Sequence, residues 1–202
     1  NAAFLINSGA EAVENAIKIC MRKNDKAKFG ISFQGSFHGR TLGALSLTHS
    51  KLLYKKNYFT IPNKILPYSD EAINELEHVL RNSKPEEIAF VILEPIQGEG
   101  GYNIASKEMI NGLRKITKEN NIPLISDEVQ SGMGRTGKWW AIENFNIIPD
   151  VMSAAKALQV AATISNRNMF PEPGAISSTW GGGHKLDLAL GAKTIEIIKK
   201  KK

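Results

Sequence analysis

Apolar residues gather in short runs at 4–6, 29–33, 88–93, 123–126, 151–154 and 161–164, each closed by turn-forming residues. Most of these runs are continuous rather than alternating, the pattern of strands buried on both faces of a parallel sheet. Between them apolar positions recur at helical spacing: Ala12, Val13, Ala16, Ile17 and Cys20; Ile73, Leu76 and Leu80; Met109, Leu113 and Ile116; Leu188, Ala192, Ile195 and Ile198. The pattern predicts helices laid over a sheet, an α/β fold with a mostly parallel central sheet. Ser8 followed three residues later by Glu11 reads as a capping box, and Ser106 as the cap of the helix that begins before Met109. No internal repeat, low-complexity stretch or linker divides the chain, so it reads as one domain.

Composition narrows the classes. With 202 residues, 42% hydrophobic and 23% charged, disorder and fibrous repeats are excluded. No apolar run reaches the roughly 18 residues a membrane-spanning helix needs. The opening Asn1-Ala2-Ala3 holds neither the basic stretch nor the cleavage site of a signal peptide, which points to the cytoplasm. The single cysteine, Cys20, can form neither an intrachain disulfide nor a thiolate zinc cage, and no metal is expected. The net charge of +6 includes the four lysines at 199–202, leaving +2 for the body, which argues against a nucleic-acid face. Asn1 is not an initiator methionine and the last residues stop inside a helical pattern, so a piece truncated at both ends is expected.

In open α/β sheets ligands sit beyond the carboxyl ends of strands, so the polar residues after each apolar run carry the interest. Ser8-Gly9-Ala10-Glu11 is a strand-to-helix turn of small residues; such a turn can bind phosphate through backbone N–H groups, although by itself it reads as an ordinary capped helix start. It lacks both the dinucleotide GxGxxG and the P-loop Gly-Lys-Ser/Thr. Asp127 follows a central apolar run, where an unpaired carboxylate is costly. It therefore needs a cationic partner, either a structural Arg or Lys or a protonated ring nitrogen on a ligand. Lys156 lies among Ala154, Ala155, Ala157 and Leu158, and either snorkels to the surface or is held in a pocket as a nucleophilic amine. A phosphate turn, a buried carboxylate and a lysine, all at strand ends of one sheet, are together the equipment for pyridoxal 5'-phosphate.

The strings NSGAEAVENAIK (7–18), FHGRTLGALSLT (37–48), ILEPIQGEGGY (92–102), LISDEVQSGMGRTGKWWA (124–141), PDVMSAAKAL (149–158) and SSTWGGG (177–183) resemble, in order, the motifs of class III aminotransferases of the fold-type I pyridoxal-phosphate superfamily. That group includes 4-aminobutyrate, ornithine and lysine 6-aminotransferases. The resemblance implies a three-layer large domain, spanning 1–202 without the C-terminal small domain. It also implies Lys156 as the residue that carries the cofactor and shuttles protons, and Asp127 as partner of the pyridinium nitrogen. Gly9 and Ala10 would hold the phosphate, Phe37 and Val129 the two ring faces, and Gln130 the phenolic oxygen, with His38 beside them supporting the wall. Glu94 and Glu99 match acidic positions near the substrate, Glu99 resembling a glutamate that pairs with an arginine of the C-terminal domain. Thr179 resembles the residue that reaches the phosphate from the neighbouring subunit of a homodimer. Trp139, Trp140 and Trp180 read as core or interface fillers.

The activity so implied is transfer of an amino group from an ω-amino acid to 2-oxoglutarate. Racemases and decarboxylases share the same lysine and aspartate, and a truncated, inactive large domain is the further alternative. Leu158-Gln159-Val160-Ala161-Ala162 departs from the glycine-rich stretch usual after the lysine and is closer to the lysine 6-aminotransferase branch. Gly183-His184 replaces the common Asn-Pro.

Overall fold

Strand β4 (Ile88–Leu93) is buried along its whole length, which explains its unbroken apolar run: Phe90 and Ile92 face one helical layer while Val91 and Leu93 face the other. The computed structural model describes residues 1–176, 178 and 182–201. In chain order the other strands are β1 (Ala2–Ile6), β2 (Phe29–Phe33), β3 (Asn63–Leu66), the two-residue β5 (Ile96–Gln97) and β6 (Asn103–Ile104), β7 (Leu124–Asp127), β8 (Val151–Ala154) and β9 (Ala161–Ser165). The helices are α1 (Gly9–Arg22), α2 (Leu42–Ser46), α3 (Glu71–Asn82), α4 (Lys107–Glu119) and α5 (Lys185–Lys201).

Seven strands form one sheet in the order β1-β9-β8-β7-β4-β2-β3, and β5 pairs with β6 apart from it. The pairs β2–β3, β2–β4, β4–β7 and β7–β8 are parallel. Strand β9 runs antiparallel to both β8 and β1, so the sheet is mostly parallel. Helices α3 and α4 cover one face through Leu76, Val79, Met109 and Leu113, and α1 and α2 cover the other through Val13, Ile17, Ala44 and its C-cap Leu47. That is the expected three-layer arrangement. Leu188, Ile195 and Ile198 of α5 pack beside Leu158, Val160 and Ala162, with Trp139 and Trp140 in the same cluster as fillers. Among the described residues no helix is long and apolar enough to cross a membrane.

Caps aim the helices. The Ser106 hydroxyl accepts the Met109 N–H at 2.9 Å, and Ser8 Oγ accepts the Glu11 N–H at 3.3 Å while donating to the Glu11 carboxylate at 2.8 Å. Thr163 on β9 donates its hydroxyl to the Ala12 carbonyl at 2.8 Å, seating the first turn of α1 against the sheet. The amino end of α1 is thereby fixed at the same sheet edge as the carboxyl ends of β4, β7 and β8.

Candidate active site

That edge carries a cleft of about 310 Å³, within the range of small-molecule sites. It is lined by Gly9, Ala10, Phe37, His38, Glu94, Asp127, Val129, Gln130 and Lys156, each given a role from the sequence, and by Gly39, Arg40 and Ala155, which lie within or beside the same motifs but are given none. A larger groove of about 470 Å³ runs between α5 and Trp139, but it is apolar except for Lys199 and offers no chemistry. Thr179 and Trp180 lie outside the described residues. Glu99 stands at the rim rather than in the cleft, taking a hydrogen bond from the Ser50 hydroxyl at 3.3 Å with the Lys51 ammonium 4.0 Å away.

Asp127, the last residue of β7, is 4% exposed, and each of its carboxylate oxygens takes one hydrogen bond. Oδ1 accepts the Val129 N–H at 3.1 Å and Oδ2 lies 2.7 Å from His38 Nδ1. A carboxylate only accepts, so the imidazole donates from Nδ1. The partner that a buried carboxylate requires is thus His38, itself buried, where the sequence reading assigned this histidine to wall support. The sequence carries no signal for this pairing: it is the strand order, in which β4 alone separates β2 from β7, that brings the loops leaving β2 and β7 together. Among the described residues His38 Nε2 is buried without a hydrogen-bond partner.

Lys156 follows β8 in a 3-10 turn, Lys156–Leu158, closed by Gln159 at φ +67°. Its side chain is exposed and Nζ donates to Gln130 Oε1 at 2.7 Å. Between the two alternatives the sequence left, the amine reaches the open side of the cleft rather than an enclosed pocket. Gly9 lets α1 approach the β7 loop: a Cβ there would come within 2.7 Å of Val129 Cγ1. The N–H groups of Glu11 and Ala12 are taken by Ser8, while Gly9 and Ala10, the first two residues of the helix, line the cleft and their N–H groups have no intrahelical acceptor.

Phe37 presents its ring edge-on to Tyr54, centroids 6.2 Å apart, and Arg40 lies over that tyrosine at 4.3 Å. Glu94, directly after β4, is buried; Oε1 accepts the Phe37 N–H at 2.8 Å and Oε2 the Gly98 N–H at 3.1 Å. Burial pushes its carboxyl up to about 7, with Asp127 adding to the rise and His38 and the two N–H donors opposing it. Glu128 turns away into the core, where Ser131, Ala141 and Ile142 donate to its carboxylate. Burial raises its pKa as well. Sequence reasoning missed the backbone-binding role of both glutamates, since a carboxylate that caps loops leaves no periodic trace.

A family model for class III aminotransferases matches residues 1–202. Acetylornithine aminotransferase from Methanosarcina mazei is 40% identical over 98% of this chain and 50% of its own length. A probable 4-aminobutyrate aminotransferase from Bacillus subtilis is 34% identical over 97% of the chain and 50% of its own. Among solved structures, a lysine aminotransferase from M. tuberculosis superposes with a TM-score of 0.90 at 28% identity, covering 98% of this chain and 53% of that one. The chain spans about half the length of the curated relatives it matches. By the whole-chain match and by the residues gathered at its cleft, it belongs to the class III aminotransferases, a family of pyridoxal-phosphate-dependent enzymes.

Proposed function

We propose that this chain is the large, cofactor-holding domain of an enzyme that moves the terminal amino group of an ω-amino acid, of the 4-aminobutyrate, ornithine or lysine type, to 2-oxoglutarate. The observation that carries the reading is the convergence on one cleft of an amine (Lys156), a buried carboxylate (Asp127) and the amino end of α1. Relatives named for acetylornithine, 4-aminobutyrate and ornithine support a donor with an amine at the end of its chain.

Pyridoxal phosphate, when bound, supplies an aldehyde that takes up an amine and a ring that draws electrons from the neighbouring carbon. The residues fit such a group. The first two N–H groups of α1, which have no intrahelical acceptor, suit its phosphate, Phe37 and Val129 flank a flat ring, and Gln130 offers an amide for a phenolic oxygen. Asp127, oriented by His38 and the Val129 N–H, holds negative charge where a ring nitrogen keeps its proton. Lys156 Nζ moves the proton between substrate carbon and cofactor, a general acid–base role worth about 10²–10⁴ in rate. Gln130, bonded to Nζ, holds the amine at the cleft. Of the two glutamates, Glu99 keeps the more open carboxylate, and substrate contact falls to it.

The enzyme works as a homodimer, with Thr179 reaching the phosphate of the neighbouring copy. Leu52, Leu53, Tyr58 and Phe59 support this: they are all strongly exposed, Phe59 at 96%, on the segment whose Tyr54 backs Phe37. Apolar surface of this kind asks for a protein cover.

Treatment with pyridoxal phosphate, borohydride reduction and peptide mapping tests the assignment. The label is expected on Lys156, and Lys156→Ala is expected to lose both label and amino transfer; a label on any other lysine refutes it.

A further inference from the structure

Glu94 lines the cleft but is almost wholly buried, and its carboxylate touches both of the cleft's rims. One rim is the loop after β2, entered through the Phe37 N–H, and the other is the loop after β5, entered through the Gly98 N–H. The residue is 6% exposed, and its own carbonyl accepts the Tyr68 hydroxyl at 2.7 Å, which fixes the backbone from which the side chain hangs. We infer that Glu94 is a positioning residue: its ionised carboxylate ties Phe37 and Gly98 to the end of β4, and through them sets the ring wall and the lysine of the cleft together.

The path to the lysine is steric, then polar. Gly98 lies directly against Gln130, for a Cβ added at 98 would stand 2.5 Å from the Gln130 amide carbon and oxygen. Gln130 Oε1 in turn holds Lys156 Nζ at 2.7 Å. A shift of the Gly98 loop therefore moves the residue that restrains the amine. The path to the wall is direct, since the Phe37 N–H is itself one of the two bonds.

Two N–H donors aimed at one carboxyl group require both oxygens to accept. Only the ionised form does this without penalty; a protonated carboxyl turns one oxygen into a donor facing another donor. The charged or titratable groups around Glu94 are His38 on the β2 loop, Asp127 at the end of β7, Tyr68 after β3 and Arg40 across the cleft. His38 and Asp127 are bonded to each other rather than to Glu94. Burial places the midpoint for Glu94 at about 7, so the clamp is set above neutrality and released below it.

The inference rests on the aminotransferase reading for what the cleft is for, but its test needs no cofactor. In ¹⁵N-labelled protein without ligand, the amide resonances of Phe37 and Gly98 are expected to shift with pH along one curve with a single midpoint near 7, and the Gln130 side-chain amide to follow. Glu94→Gln is expected to abolish that common step. Separate midpoints, an unmoved amide, or a step that persists in Glu94→Gln and so belongs to His38 would each overturn it. Should the variant fail to fold, the side-chain ¹³C carboxyl resonance of Glu94 in the unaltered protein decides: it is expected to titrate on the same curve as the two amides, and a different midpoint would assign the common step to His38 and overturn the inference. Failure here leaves the Lys156 label untouched, and failure of the label leaves this clamp untouched.

Discussion

At the scale of single residues, the cleft is organised by what its buried carboxylates bind. Asp127 sits at 4% exposure with His38 at 3%, 2.7 Å apart, so each is the other's main compensation for leaving water. Breaking such a pair from one side strands a charge, typically costing about 3–5 kcal/mol. His38→Ala should therefore lower the urea-unfolding free energy by roughly 3 kcal/mol. Asp127→Asn, whose amide oxygen can still accept the Val129 N–H while its NH2 donates to Nδ1 of the other histidine tautomer, should lose only about 1 kcal/mol. Equal losses would mean that the pair is not the stabilising unit. The need for a partner was legible from Asp127 alone, because burial follows from its place after Pro123-Leu124-Ile125-Ser126. Which residue answers was not, since His38 and Asp127 are 89 positions apart and only the strand order brings them together.

At the scale of elements, continuous apolar runs identified the strands that are buried on both faces, and helical spacing identified α1, α3, α4 and α5. Strand β3 escaped because it is the edge strand: in Asn63-Lys64-Ile65-Leu66 only Leu66 is buried, and the pattern has nothing to alternate against. Helix α2 is five residues long, under two turns, and shows no period. The antiparallel direction of β9 was likewise invisible, because its run of Ala161-Ala162-Thr163-Ile164 is buried like the parallel strands of the same sheet. The turn at Ser8-Gly9-Ala10 reads from the sequence as a capped helix start able to bind phosphate, and its glycine also has a packing reason. A methyl at position 9 would lie 2.7 Å from Val129 Cγ1 and 3.1 Å from Cγ2, and a β-branched side chain has no easy rotamer to retreat into. Gly9→Ala should push α1 away from the β7 loop, with an overpacking penalty of about 1–3 kcal/mol. The matching functional loss is weaker binding of pyridoxal phosphate, measured by fluorescence titration. A variant with unchanged stability and affinity would show that the helix can slide without disturbing the cleft.

At the scale of the whole molecule, stability is set against pH by buried groups that pull in opposite directions. Glu94 ionises in the unfolded chain near 4.5 but is held protonated in the fold up to about 7. Between those values the folded protein binds the extra proton, so stability falls as pH rises through the window, by about 3 kcal/mol, and is level above it. Glu128, raised by burial, acts with the same sign. His49 does the reverse. Its Nδ1 accepts from the Lys55 ammonium at 2.8 Å and its Nε2 therefore donates to Ser32 Oγ at 2.9 Å, an arrangement only the neutral ring can make. Burial first, then Lys55 and His38, lower its pKa from 6.5 to about 4. The unfolded chain binds a proton there that the fold refuses, so His49 makes stability rise with pH from 4 to 6.5, by an amount reduced by its partial exposure. The two slopes overlap and offset each other, and urea midpoints between pH 4.5 and 6.5 should vary less than either group alone would cause. Glu94→Gln should leave a profile that climbs with pH, and His49→Gln one that descends. A Glu94→Gln profile parallel to that of the unaltered protein would mean that the carboxyl is already ionised in the fold at pH 5. If the slopes are found, the ionised Glu94 that fastens both rims of the cleft is maintained against the preference of the folded core, and the fold gives up stability near neutral pH to keep that charge where the site uses it.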